Sequence, residues 1–334
     1  SLTSAKLPLY IKQIQWILIG LFFMAVIITL DYRLLSQYAY FLHGFAILLL
    51  LFVTFYGYAT HGSQRWIALG GFTFQPSELV KLTLILSLAR YFSVHGVNGT
   101  LYALKDLLVP LAIVLAPFIL IVRQPDLGTA LMLLIIFLSM ILFVGVRIKD
   151  LLVSGITGLL IIPLAWLFLK DYQKDRILTF FDPERDPLGA GYHIIQSMIA
   201  VGSGGLLGKG FLKGTQTQLK FLPEQQTDFV FSVFAEEWGF AGGMVLVFLF
   251  LFLVLWGLKI ARNSRDLPGT LIAYGITIMI FWGIFINIGM VLGILPVVGV
   301  PLPFLSYGGS SVVVLMMSMG LLINISMRRF ILLS

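Results

Sequence analysis

Gly214-Thr-Gln-Thr-Gln-Leu-Lys-Phe-Leu-Pro-Glu-Gln-Gln-Thr-Asp228 closes the one long polar segment of this chain. Phe229-Val-Phe-Ser-Val-Phe-Ala235 directly after it opens an apolar run of about thirty residues. A membrane span takes about twenty mostly apolar residues, so this junction is where water gives way to bilayer. A carboxylate at such a boundary can be partly desolvated and still reach an aqueous substrate, which suits a tunable general base. Asp228 is therefore the candidate catalytic residue. Thr227 and Asp228 are equally ordinary N-cap residues for the helix that follows, a role that needs no chemistry.

Composition extends this reading to the whole chain. Of 334 residues, 59% are hydrophobic and 11% charged, with mean hydropathy +1.00, whereas globular chains carry roughly 25% charged residues. The chain reads as a polytopic membrane protein. It has no cysteine, which removes disulfides, thiolate catalysis and cysteine-ligated metals together. His43, His61, His95 and His193 lie far apart and show no ligand spacing. The net charge of +7 does not imply nucleic acid, because Lys and Arg in membrane proteins first set orientation and meet anionic membrane lipid. Ser1-Leu-Thr-Ser-Ala5 is not a signal peptide, since no basic segment precedes the first apolar run, which is itself span-length.

The chain offers nine span-like runs, near 13–30, 39–58, 78–93, 107–122, 127–145, 151–169, 229–258, 270–292 and 306–327. No strand-period alternation appears, so the expected fold is an all-α polytopic bundle rather than a barrel. It forms one membrane domain over 1–334, with 170–228 as a large extracellular loop. Within that loop, residues 170–213 read as irregular, rich in Gly, Pro and charge. Short connections carrying Arg33, Arg90 and Lys105, Arg147 and Lys149, then Lys259, Arg262 and Arg265, and finally Arg328 and Arg329, mark the cytoplasmic side. The connections 59–77, 123–126, 170–228 and 293–305 then lie outside. This puts Ser1 outside and the C-terminus inside, and it leads to the expectation of one further helix upstream.

Four helices thus enter from outside, near 78, 127, 229 and 306, each with polar residues at that end. Gln75-Pro-Ser-Glu78-Leu-Val-Lys81 sets Glu78 and Lys81 three apart on one face. Arg123-Gln-Pro-Asp126-Leu-Gly-Thr129 opens the second, Asp228 the third, and Ser306-Tyr-Gly-Gly-Ser310-Ser311 the fourth. Partial positive charge at four helix N-termini beside Arg65, Lys81 and Arg123 suits a phosphate or pyrophosphate. Each motif is also a routine helix start, and Glu78–Lys81 is also a plain ion pair. Glu236 and Glu237 lie two turns beyond Asp228, as support for the site or partners for a cation. Gly202-Ser-Gly-Gly-Leu-Leu-Gly-Lys209-Gly210 misses the phosphate-loop pattern. It reads as a flexible turn, with Lys209 as a contact for an anionic substrate.

These motifs carry a family resemblance over nearly the whole chain. Arg65-Trp-Ile-Ala-Leu-Gly70 with Gln75-Pro-Ser-Glu78, Gln124-Pro-Asp-Leu-Gly-Thr129, Asp186-Pro-Leu-Gly-Ala-Gly-Tyr192, Leu222-Pro-Glu224 with Thr227-Asp-Phe229, Glu236-Glu237 and Pro303-Phe-Leu-Ser-Tyr-Gly-Gly-Ser-Ser311 resemble the SEDS (shape, elongation, division, sporulation) proteins. Gly214-Thr-Gln-Thr-Gln-Leu219 is similar to the elongation members rather than the division members. The resemblance implies a ten-span bundle in the bacterial cytoplasmic membrane with its active site facing outside. It implies a peptidoglycan glycosyltransferase that polymerises lipid II, working with a class B penicillin-binding protein as transpeptidase. Asp228 matches the family's essential loop aspartate, and Glu78 and Lys81 match polar residues of its central cavity. Gln226 departs from the family, which commonly has His before Thr-Asp.

The expected mechanism has Asp228 take the proton of an acceptor sugar hydroxyl, which attacks the anomeric carbon of the undecaprenyl-linked glycan and displaces undecaprenyl pyrophosphate with inversion. Arg65, Lys81, Arg123 and Lys209 would stabilise the leaving group. Asp126, Glu224 and Ser310 complete the substrate-binding candidates. No cofactor is demanded; a divalent cation, Mg or Mn, held by Glu78 or Asp228 would serve the same end. The alternative from another class is a flippase for lipid-linked cell-wall precursor, which should need polar groups deep in the membrane and on the cytoplasmic half. A third reading is a scaffold that only binds its penicillin-binding partner.

Overall fold

The computed structural model describes residues 8–60, 63–69, 72–96, 101–168, 171–186, 189–218 and 226–329. Its helices in chain order are α1 (Leu9–Thr29), α2 (Tyr32–Gln37), α3 (Ala39–Tyr56), α4 (Pro76–Val94), α5 (Leu108–Arg123), α6 (Leu127–Val144) and α7 (Ile148–Phe168). They continue as α8 (Asp171–Phe181), α9 (Ala190–Ser203), α10 (Thr215–Gln218), α11 (Val230–Arg262), α12 (Leu267–Val291) and α13 (Gly309–Arg328). Each of the nine expected apolar runs falls on a helix. Seven helical stretches among the described residues are long and apolar enough to cross a membrane: α1, α3, α5 with its preceding turn, α6, α11, α12 and α13. The chain is an integral membrane protein with a mostly helical fold.

The helix starts follow local chemistry. Pro76 opens α4, where its missing N–H costs nothing. Asp126 caps α6 by accepting from the Thr129 amide, and Asp266 caps α12 by accepting from that of Gly269. In the short connection between α1 and α3, Arg33 binds Asp266 at 2.8 Å and the Tyr32 hydroxyl donates to it at 2.9 Å. This ties the α1–α3 turn to the start of α12.

α4 is the centre of the bundle, packed against α3, α5, α6, α12 and α13. Nearly all of it is buried, including Ser77, Glu78, Lys81, Thr83 and Ser87. α1, by contrast, turns Ile14, Leu18, Leu21 and Phe22 outward. Apolar side chains gain little by leaving lipid, so backbone closeness and polar contacts choose the centre of a membrane bundle.

Three local expectations change. The connection 59–77 contains a three-stranded antiparallel sheet, β1 (Tyr58–Thr60), β2 (Ser63–Leu69) and β3 (Phe72–Phe74). Two of its strands have three residues, too few for a period of two to register in the sequence. Residues 170–213, read as irregular, fold largely into α8 and α9. α9 packs on α11 and α12 through Ile194, Ser197 and Ala200, a three-residue spacing that gives one buried helix face.

The glycine run 202–210 is a fitted plug rather than a free turn. α11 breaks at Gly239 (φ 65°, ψ −166°), which frees backbone groups that must be satisfied in an apolar setting. The loop supplies the partners. Lys209 and Gly210 amides donate to the Glu236 and Glu237 carbonyls at 3.0 Å each, while Phe240 and Ala241 amides donate to the Gly205 and Leu206 carbonyls at 2.8 and 3.0 Å. A Cβ at Gly208 would stand 2.1 Å from the Glu237 carbonyl oxygen, so only glycine permits the approach.

Candidate active site

At the end of the bundle where α4, α6, α11 and α13 begin, one cavity carries buried charge. It is lined by Glu78 and Lys81 of α4, Met132 of α6, Met279 and Gly283 of α12, and the connection from Val300 to Ser306. Lys81 Nζ lies 2.8 Å from Glu78 Oε1 and both side chains are buried. The i,i+3 spacing on one helix makes this pair a local product of the sequence. The cavity volume is about 50 Å³, room for a few waters and too little for a sugar ring without opening. Phe304, on the rim, has φ 67°, a left-handed conformation that a bulky residue keeps only where its surroundings enforce it.

Asp228 stands at the edge of this connection. It is half-buried, in the turn before α11. The N-cap position of α11 is Phe229, directly after Asp228. The Asn287 side-chain amide, from α12, donates to the Asp228 carbonyl at 2.9 Å and to the Val300 carbonyl at 2.8 Å. The Ser306 hydroxyl donates to the Thr227 carbonyl at 2.5 Å, and the Tyr307 amide to the Gln226 carbonyl at 2.8 Å. A Cβ on Gly299 would lie 3.4 Å from Asp228 Oδ2, so the carboxylate rests against the rim.

The other candidates have different tasks. Arg65 binds the turn before α6: its Nε donates to the Gln124 carbonyl at 2.8 Å, its Nη2 to the Pro125 carbonyl, and its Nη1 stands 4.0 Å from Asp126. Asp126 is a buried cap that accepts from the Thr129 hydroxyl at 2.9 Å and the Gln75 amide side chain at 3.1 Å. Ser310 accepts from the Gln75 backbone amide at 2.8 Å. Gln75 thereby joins the starts of α4, α6 and α13. These contacts tie Arg65, Asp126 and Ser310 into the starts of three helices.

Lys209 has its partners within the fold. Its Nζ is 2.7 Å from Glu236 Oε1, a fully buried oxygen that also accepts from the Thr215 hydroxyl at 3.2 Å and the Gln216 amide at 3.1 Å. Lys209 and Glu236 secure the plug, with the lysine's charge already matched. Arg123 is exposed at the end of α5 and makes no ion pair among the described residues. Glu224 lies outside the described residues. Among those described, no three acidic or histidine side chains gather as a metal site. Glu78 pairs with Lys81 through one oxygen and lines the cavity.

Asn287 escaped the sequence reading, and Ser306 was read only as the start of the fourth entering helix. Asn287 had a usable signal, a lone amide inside an apolar span, where polar groups are expensive and rarely idle. Gly128 belongs with them: a Cβ there would sit 2.4 Å from the Val298 carbonyl oxygen, so its glycine lets the rim pack onto the start of α6.

The sequence matches over residues 1–330 the cell cycle protein family of FtsW, RodA and SpoVE. It is 43% identical over 319 residues to the peptidoglycan glycosyltransferase MrdB of Escherichia coli K12, covering 95% of this chain and 85% of that protein. A chain from a peptidoglycan synthase complex with coordinated polymerization and crosslinking superposes with TM-score 0.82 at 35% identity, over 96% of this chain and 90% of that one. The rod shape determining protein RodA of Thermus thermophilus superposes with TM-score 0.72 at 29% identity, over 98% and 90% of the two chains.

Proposed function

This chain belongs to the FtsW/RodA/SpoVE family, and from that membership we infer that it is a peptidoglycan glycosyltransferase, an integral membrane polymerase that builds glycan strands from lipid II. Its nine long helices cross the bacterial cytoplasmic membrane, and the segment 170–228 stands on the outer side with the catalytic centre. The class of the reaction is fixed by kinship. Its chemistry is read from the site.

The observation that supports this mechanism is that Asn287 ties the Asp228 carbonyl to that of Val300, a residue lining the Glu78–Lys81 cavity. Asp228 takes the proton from the acceptor's sugar hydroxyl as that oxygen bonds to the donor's anomeric carbon. The bond from this carbon to the pyrophosphate oxygen breaks with inversion, and the electron pair leaves with the polyprenyl pyrophosphate. Lys81 is the cation this cavity offers to the leaving group's developing charge, and Glu78 holds its ammonium in place. Arg65 and Lys209 act at a remove, by fixing the α6 start and the plug. A class B penicillin-binding protein is the partner that crosslinks the product, in keeping with the synthase complex this chain resembles.

The test is gel-resolved polymerisation of labelled lipid II by the full-length protein with its transpeptidase partner. Asp228→Asn should lower the rate by about 10²–10⁴-fold while the complex still forms. Polymer at the parental rate from Asp228→Asn would refute the base assignment. Lipid II crossing liposome membranes without polymer from the parent would favour the flippase.

A further inference from the structure

Three consecutive carbonyls, those of Gln226, Thr227 and Asp228, are each held by a donor from α12 or the connection that follows it. The donors are the Tyr307 amide, the Ser306 hydroxyl and the Asn287 side-chain amide, at 2.8, 2.5 and 2.9 Å. Ser306 Oγ in turn accepts from the Leu302 amide at 2.8 Å, which orients its hydroxyl. Val300, Leu302 and Ser306 all line the cavity that holds Glu78 and Lys81. The backbone of the catalytic turn and the cavity wall are therefore one hydrogen-bonded body.

Asn287 is the centre of it. The side chain is fully buried in α12 and its nitrogen bridges the Asp228 and Val300 carbonyls, whereas its Oδ1 has no partner among the described residues. Both facing groups are acceptors, so the amide orientation is forced: turning it over would set oxygen against oxygen twice. Its nitrogen serves two carbonyls that an aliphatic side chain would leave without this donor. It also fixes where the Asp228 carbonyl stands.

We propose that Asn287 and Ser306 are positioning residues of glycosyl transfer, which set the Asp228 carboxylate over the Glu78–Lys81 cavity by holding its backbone and never touch the reacting atoms. The proposal rests on Asp228 being the base. A shift of about 1 Å in a catalytic group is enough to cost on the order of 10²-fold in rate. The binding of lipid II should change far less than the rate.

The experiment measures kcat and KM for labelled lipid II with the full-length protein and its transpeptidase partner. The variants are Asn287→Leu, Ser306→Ala and Ser306→Thr, with Asp228→Asn run beside them. Asn287→Leu should lower kcat by about 30- to 300-fold and Ser306→Ala by about tenfold, with KM within twofold of the parent. Ser306→Thr keeps the hydroxyl donor and should restore most of the rate. Parental kcat in Asn287→Leu and Ser306→Ala, with Asp228→Asn inactive, would overturn this proposal and leave the base assignment standing. So would a fall in kcat, KM performance and melting temperature together, with Ser306→Thr no better than Ser306→Ala, since that is the mark of a purely structural role. Should Asn287→Leu fail to fold, the Ser306 pair decides alone. An active Asp228→Asn would overturn both readings.

Discussion

Glu78–Lys81 and Glu236–Lys209 are ion pairs of nearly the same length, 2.8 and 2.7 Å, at the same end of the bundle, but their carboxylates are satisfied to different degrees. Glu236 accepts from Lys209, Thr215 and Gln216, with Ser203 at 3.5 Å, and it is fully buried. Glu78 has Lys81 as its one ionic partner among the described residues, and the pair faces a cavity. An ionised carboxylate offers about four acceptor positions. One with its positions filled is finished structure, while one with positions to spare beside a cavity is ready for a ligand. Distance and burial do not separate the two pairs; the remaining hydrogen-bonding capacity does.

Lys81→Met gives the largest effect expected from breaking this comparison. The polymerisation rate should fall by about 10²-fold or more, as when an electrostatic stabiliser of developing charge is lost, in the lipid II gel assay. The protein should still bind its partner. Glu236→Gln should act in the opposite sense, on stability rather than chemistry. Loss of the charge leaves Lys209 without its counter-ion and should cost about 2–4 kcal/mol, read as a lower melting temperature in detergent, with less than a tenfold loss in rate for the folded fraction. If Glu236→Gln stopped the chemistry and left melting untouched, the two pairs would have been assigned the wrong way round.

Gly208→Ala sharpens the same point without changing a charge. Its φ is 78° and a Cβ would meet the Glu237 carbonyl at 2.1 Å. The plug should loosen at a cost of about 1–3 kcal/mol, and limited proteolysis near residue 208 should speed up. Arg33→Ala should be the mildest change. The Arg33–Asp266 pair is also 2.8 Å long but its side chains are 40% and 27% exposed, and such pairs contribute about 0–1 kcal/mol. Beside it, burial and the Asp266 carboxylate push the Tyr32 hydroxyl up to about 12, from an ordinary value near 10. The native state holds this proton more tightly, so the contribution is complete below pH 10 and is lost between about pH 10 and 12. Tyr32→Phe should remove that dependence from a melting series over this range.

Much of the bundle was legible because a span has a length and an apolar composition that water-facing segments cannot share. Each expected run from 13–30 to 306–327 falls on a helix. The Glu78–Lys81 pair was legible for a similar reason, since three residues along a helix fix two side chains on one face. Arg65 and Lys209 were read only by sign, and a positive charge near an expected anion site looks the same whether or not a carboxylate or carbonyl already faces it. The glycines at 202–210 were seen, yet their partner, the break at Gly239, stands about thirty residues further on, and a gap in one helix cannot be matched to a loop by inspection of either alone. Asn287 lies 59 residues beyond the carbonyl it holds.

By itself the sequence determined that this is a helical membrane protein, where its long helices run and which charged residues stand at their ends. These follow from hydropathy and helical period, properties of neighbouring residues. Only the tertiary structure decided that the comparatively polar α4 lies at the centre, that Glu236 and Lys209 are already spent on each other, and that the Asp228 turn is bound to the cavity wall through Asn287 and Ser306. Those outcomes are contacts between segments far apart in the chain. Hydrogen-bonding capacity is used up by whichever partner the fold brings near, and no local pattern records which partner that is.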